Sequence, residues 1–89
     1  MTTKTAKIIN KTGLHARPAS DFVQAAGKFD AEITIKRVGD DEEANAKSII
    51  FLLSLGLCQD EEVEISADGE DEAEAVDKLI ELINSGFGE

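Results

Sequence analysis

The sequence predicts an α+β fold in which helices cover one side of a mostly antiparallel sheet. Two observations lead there. Apolar residues alternate between a strand period of two and a helix period of about 3.6, in the order β-α-β-β-α-β-α. Each predicted helix carries one apolar stripe and each predicted strand one apolar face, so stacking the helices on a single face of the sheet buries both. Size sets the scale. The 89 residues, 42% of them apolar, read as one domain spanning 1–89 with a thin core, since a domain this small buries about 60% of the surface its unfolded chain exposes.

Each element has its own signal. Lys4 to Asn10 reads as the first strand, with Ala6 and Ile8 on one face and Lys7 and Ile9 on the other. Lys11 to Leu14 is a loop. Ala16 to Lys28 reads as a helix because Ala19, Phe22, Val23 and Ala26 fall at i, i+3, i+4 and i+7, with Gly27 placed to end it. Glu32 to Val38 alternates again, Ile33 and Ile35 inward, and Gly39–Asp40–Asp41 turns it into a short return strand, Glu42 to Asn45. Ser48 opens a short apolar helix through Leu55, stopped by Gly56. Glu61 to Ala67 is the last strand, with Val63 and Ile65 inward. Asp71 to Ser85 is the last helix, with Val76, Leu79, Ile80 and Ile83 on its apolar face. Glu70, Asp71 and Glu72 stand at its start, where the helix dipole favours anions. The tail Ser85 to Glu89 is expected to be mobile.

Charge and composition remove several function classes. The formal net charge is -10, and no basic stripe interleaved with aromatics is present, so nucleic acid is not an expected ligand. The charge is uneven: residues 1–37 hold seven basic and three acidic residues, a balance of +4, and residues 38–89 hold two basic and sixteen acidic, a balance of -14. Solubility accounts for so much acid; a less negative face built by the first third is the sharper reading. One cysteine, Cys58, excludes an internal disulfide, and one histidine with it cannot build a common zinc site, so no metal and no cofactor are expected. The longest apolar run, Ile49 to Leu53, is far short of the about 20 residues of a membrane span, and no signal peptide is visible. A cytoplasmic protein is expected.

One constellation carries chemistry. In Gly13–Leu14–His15–Ala16–Arg17–Pro18–Ala19–Ser20, His15 stands where a loop becomes a helix, and Pro18 lies in the first turn, where a missing N–H costs nothing. The imidazole is thereby set over free backbone N–H groups and the positive end of the dipole, a ready anion site. Arg17 adds a fork suited to phosphate oxygens, and Gly13 allows a tight approach. A free imidazole, with a pKa of about 6.5, is largely neutral and nucleophilic at cell pH. A histidine that accepts a phosphoryl group is therefore sensible here, although a single histidine at a helix start is more often a cap or surface residue. No P-loop, nucleotide fingerprint or nucleophile elbow accompanies it.

Residues Gly13 to Ala19 resemble the active-site signature of the HPr family, histidine-containing phosphocarriers of the bacterial sugar phosphotransferase system. Asn45–Ala46–Lys47–Ser48–Ile49–Ile50 through Ser54–Leu55–Gly56–Leu57 resembles that family's regulatory-serine segment, and Ile65 to Ala73 its last strand-to-helix junction. The resemblance implies an open-faced β-sandwich, a four-stranded antiparallel sheet covered by three helices. It implies that His15 is phosphorylated on Nδ1 by phosphoenolpyruvate-dependent enzyme I and passes the group to a histidine of a sugar-specific IIA domain. Arg17 would neutralise the phosphoryl charge, and the backbone N–H groups of Ala16 and Arg17 would hold its oxygens. The protein would be a stoichiometric carrier, not an enzyme, and a monomer.

The same resemblance implies a docking surface of Ser20, Lys47, Ile49, Ile50 and Leu53 beside the histidine. By spacing alone, Ile49, Leu52 and Leu55 belong to the core, whereas Ile50 and Leu53 have no inward role. Ser48 reads first as an N-cap; in the family its position is also the target of HPr kinase/phosphorylase, and a phosphate there would repel enzyme I and create a surface for a catabolite control protein. Cys58 reads as a small apolar filler. The acidic turn Val38 to Glu43 is longer than the family's, is expected far from His15, and leaves the third strand's register open. The competing reading is a regulatory binding module, a catabolite-repression or nitrogen-related HPr-like protein acting through docking. His15 argues against the first branch, which lacks the histidine.

Overall fold

The computed structural model describes residues 1–89. Strands β1 (Thr2–Lys7), β2 (Glu32–Arg37), β3 (Glu43–Asn45) and β4 (Glu62–Asp68) form one sheet in the order β1-β4-β2-β3. Every neighbouring pair is antiparallel. Helices α1 (Ala16–Ala26), α2 (Ile49–Ser54) and α3 (Glu72–Asn84) cover one face, and a 3-10 turn at Gly86–Gly88 follows α3. Register explains which face is covered. Ile35 stands level with Ile65 on one side and Ala44 on the other, and Ile33 with Ala67, so the apolar residues of three strands share one face and are buried. Phe22 of α1, Leu52 of α2 and Val76, Leu79 and Ile83 of α3 close over them, completing a single cluster with Ile8, Leu14 and Leu57 from the loops. The opposite face, with Thr34, Lys36, Glu64 and Ser66, is open. This is the predicted open-faced sandwich.

The boundaries shift for local reasons. β1 ends at Lys7 instead of Asn10: Ile8 still donates to the Glu61 carbonyl at 2.9 Å, but Asn10 is buried in the following loop. α1 ends at Ala26 instead of Lys28, with Gly27 as its C-cap at a right-handed φ of -65°. Gly56 ends α2 in a left-handed turn, at φ +62°. Ser48, Asp71 and Ser85 flank their helices as caps. The Asp71 carboxylate accepts from the backbone N–H of Asp30 and Ala31 at 2.8 and 2.9 Å, which ties the start of α3 to the α1–β2 link. These bonds, Asp30's foremost, hold its carboxyl below the usual range.

One expectation fails. The tail is tied down: Phe87 packs against the core, and the Glu89 carboxylate reaches the loop before α1. The hairpin of the acidic turn pairs Thr34 with Asn45 and Lys36 with Glu43, which settles the register, and Arg37 at its base is bonded to Glu61.

Candidate functional site

His15 is the N-cap residue of α1, with extended backbone (φ -131°, ψ 166°), and its side chain makes no capping bond. The ordinary structural role for a histidine at this place is therefore not the one it plays. The first backbone bond into the helix runs from the Ala19 N–H to the His15 carbonyl at 3.4 Å. The N–H groups of Ala16 and Arg17 donate to no backbone or side-chain acceptor, and Pro18 has none to donate. Ala16 takes a left-handed φ of +51°, a conformation that costs an L-residue about 1–2 kcal/mol. The strain falls on the residue that follows the histidine.

Gly13 makes a tight approach, and its partner is the backbone of Leu57 and Cys58. At φ +70° it lies so close to β4's entry loop that a Cβ would stand 2.6 Å from the Leu57 carbonyl oxygen and 2.9 Å from the Cys58 Cα. With the Leu14 N–H donating to the same carbonyl at 3.0 Å, this contact seats the histidine loop against Leu57–Cys58. Cys58 is consequently not a filler. It is exposed, its Sγ lies 4.0 Å from His15 Nε2, and its thiol donates to the Gly56 carbonyl. A residue in a connecting loop shows no periodicity, so its burial was not readable from spacing.

Behind Cys58 stands an ion pair that sequence reasoning missed. Arg37 Nε and Nη2 donate to the two carboxylate oxygens of Glu61 at 2.8 and 3.2 Å, and Nη2 also donates to the Leu55 carbonyl at 2.9 Å. Glu61 accepts from the Cys58 N–H at 2.7 Å. The Arg37 hydrogen bonds, with the Cys58 amide second, hold the Glu61 carboxyl below its usual range, while Glu61 raises the Arg37 guanidinium. This fork fixes the end of α2 and the loop flanking the histidine.

Arg17 is 91% exposed, with a 4.0 Å contact to Asp21 as its ion pair. Ser20 is half-buried, and its Oγ accepts from Gln24 at 3.2 Å. On α2, Ile50 is 75% exposed and Phe51, Leu53 and Ile49 are also exposed, whereas Leu52 and Leu55 are buried. The core reading thus holds for Leu52 and Leu55 and fails for Ile49, which lies with Ile50 on the outer side. Ser48 caps α2, accepting from the Phe51 N–H at 3.4 Å. Lys47 is half-buried and its ammonium donates to the Phe29 carbonyl at 2.7 Å, just past the end of α1. α2 therefore runs against α1: its end leads to Cys58 and His15, and its start, with Ser48, lies about 9 Å of helix away. No three His, Cys, Asp or Glu side chains are grouped to hold a metal ion, and no helix is long and apolar enough to cross a membrane.

The family model described as the PTS HPr component phosphorylation site matches residues 2–85. The phosphocarrier protein HPr of Neisseria meningitidis serogroup A is 42% identical over 89 residues, covering 100% of this chain and 98% of its own. HPr from Thermoanaerobacter tengcongensis superposes with a TM-score of 0.95 at 50% identity, covering 100% of this chain and 98% of that one. Crh, the catabolite repression containing protein of Bacillus subtilis, solved as an intertwined dimer with a swapped domain, superposes at 0.74 with 40% identity over 97% of each chain. The match spans nearly the whole chain in sequence and in fold, and the chain belongs to the HPr family, the phosphocarriers of the phosphotransferase system.

Proposed function

We propose that His15 is the phosphoryl acceptor of this phosphocarrier. The observation that carries the reading is a histidine at a helix N-cap that spends no side-chain bond on its own helix, beside the unpartnered N–H groups of Ala16 and Arg17. A phosphoryl group on Nδ1 would find those donors, the positive end of α1 and the exposed guanidinium of Arg17, which is held only by a 4.0 Å contact to Asp21. Nδ1 is the nitrogen that the family resemblance implies for the incoming phosphorus, and Cys58 Sγ lies 4.0 Å from the other, Nε2. The N–P bond to His15 forms as the donor's bond to phosphorus breaks, and the reverse exchange delivers the group onward. Enzyme I is the proposed donor, a sugar-specific IIA domain the acceptor, and the protein a monomeric, cytoplasmic carrier of one domain that does not turn over alone.

The exposed Ile49, Ile50 and Leu53 of α2 suit a brief apolar contact with both partners, and Ser20 and Lys47 are proposed to join it. Ser48, at the head of that patch, is the proposed regulatory site for an HPr kinase/phosphorylase, and its phosphorylated form a surface for a catabolite control protein. The test is incubation with enzyme I and phosphoenolpyruvate, followed by phosphorus NMR and acid treatment. An acid-labile phosphohistidine in the native chain and none in His15→Ala is expected. A label that survives the substitution places the acceptor elsewhere.

A further inference from the structure

The loop that presents His15 is held from the far end of the chain. Gly86, Phe87 and Gly88 all have left-handed φ values, of +68°, +56° and +79°, which turn the chain sharply after α3 and press Phe87 onto the core. Gly86 faces Ile9, a carbon of which would stand 3.5 Å from an added Cβ. Glu89 is thereby delivered to the loop before α1. One of its carboxylate oxygens accepts from the Thr12 N–H and from Asn10 Nδ2, each at 3.3 Å. Asn10 is buried, and its Nδ2 also donates to the Gly13 carbonyl at 3.0 Å, while the Gly13 N–H donates to the Asn10 carbonyl at 3.2 Å. Both hydrogens of one buried amide are thus shared between Glu89 and the peptide unit two residues before His15. Hydrogen bonding from Thr12 holds the Glu89 carboxyl below its ordinary range.

We infer that Glu89 is a positioning residue for phosphoryl acceptance: through Thr12 and Asn10 it fixes the loop that aims His15. This rests on the phosphocarrier reading above. Transfer between two nitrogens needs a defined approach of the imidazole to phosphorus, and a misplacement of about 1 Å costs about a hundredfold in rate. A loop whose amide N–H and buried asparagine are both held by one carboxylate has little freedom to stray.

Glu89→Ala removes the acceptor, whereas Glu89→Gln keeps an oxygen able to accept both bonds and removes only the charge. Glu89 is exposed, so both variants retain the core. Two measurements are made: hydrogen exchange of the Thr12 amide by NMR, and the rate of phosphoryl acceptance at increasing enzyme I concentration with phosphoenolpyruvate in excess. Expected for Glu89→Ala is faster Thr12 exchange with an about tenfold lower maximal rate and an unchanged half-saturating enzyme I concentration. Glu89→Gln restores both. Unchanged Thr12 exchange in Glu89→Ala shows that the loop is not held by Glu89, and faster exchange with an unchanged rate shows that holding it does not matter; either overturns the positioning role. A native chain that accepts no phosphoryl group overturns the carrier reading and the positioning role with it, whereas a native chain that accepts while Glu89→Ala accepts equally well overturns only the latter.

Discussion

The Sγ of Cys58 lies 4.0 Å from Nε2 of His15, although 43 residues separate them. Three contacts produce this closeness: Gly13 packed on the Leu57–Cys58 backbone, Leu14 bonded to the Leu57 carbonyl, and Glu61 holding the Cys58 amide. The thiol is exposed, so any group attached to it stands against the imidazole.

Alkylation of Cys58 with iodoacetamide is accordingly expected to lower phosphoryl acceptance from enzyme I by about tenfold or more, the scale on which blocked approach acts. Cys58→Ser, of similar size, is expected to accept at close to the native rate and to be indifferent to the reagent. Acceptance that survives complete alkylation, verified by mass spectrometry, would show that partners do not approach over Cys58.

The Arg37–Glu61 fork makes a prediction in pH. The Glu61 carboxyl is held below its usual range by Arg37, so the unfolded chain takes up its proton at a higher pH than the folded one. Its contribution to stability is complete above the ordinary carboxylate range, about pH 4.3 for a free glutamate, and is lost as pH falls through the depressed folded value. Glu61→Gln is thus expected to melt below the native protein at pH 7, with the gap shrinking toward pH 3. A gap that is constant with pH would mean that the side chain's shape matters and its charge does not.

Ala16 is expected to behave unlike an ordinary helical residue. Elsewhere on an exposed helix surface, as at Gln24, substitution by glycine costs about 0.5–1 kcal/mol. At Ala16 the left-handed φ of +51° already carries a strain of about 1–2 kcal/mol that glycine removes. Ala16→Gly should therefore leave stability unchanged or raise it, against a clear loss for Gln24→Gly, as measured by urea denaturation. A loss at Ala16 equal to that at Gln24 would show that the strain is not present in solution.

How legible these features were depends on where the constraint resides. The strands and helices were readable because Ile33, Ile35, Val63, Ile65 and the stripe of α3 repeat with the period of their own element, and the helix-start histidine because Pro18 and Gly13 punctuate the chain around it. Cys58, Arg37 and Glu61 were not readable as a group, because ion pairs between a hairpin base and a strand entry depend on the register of the sheet. The tail reads as loose because chain ends usually are; the apolar Phe87 between Gly86 and Gly88 is the available sign of a turn with a half-buried anchor. Ile49 was placed in the core by a spacing of three, but in a helix of only six residues one turn does not define which side faces inward.

Ser48 separates capping from charge. Its Oγ accepts from the Phe51 N–H, and loss of such a cap costs about 0.5–2 kcal/mol, so Ser48→Ala should melt lower while accepting the phosphoryl group normally. Aspartate caps a helix as well as serine does, so Ser48→Asp should keep the stability and add a charge at the head of the Ile49, Ile50 and Leu53 patch. Because α2 places Ser48 about a helix length from the Cys58 end, that charge cannot act on His15 by contact and must act on the approaching partner. Acceptance by Ser48→Asp is therefore expected to slow severalfold at low salt and to recover as added salt shortens the screening length from about 10 Å at 0.1 M to about 3 Å at 1 M. A slowing that persists at 1 M salt would point to an altered α2 surface, and an unchanged rate at low salt would take Ser48 out of the docking face.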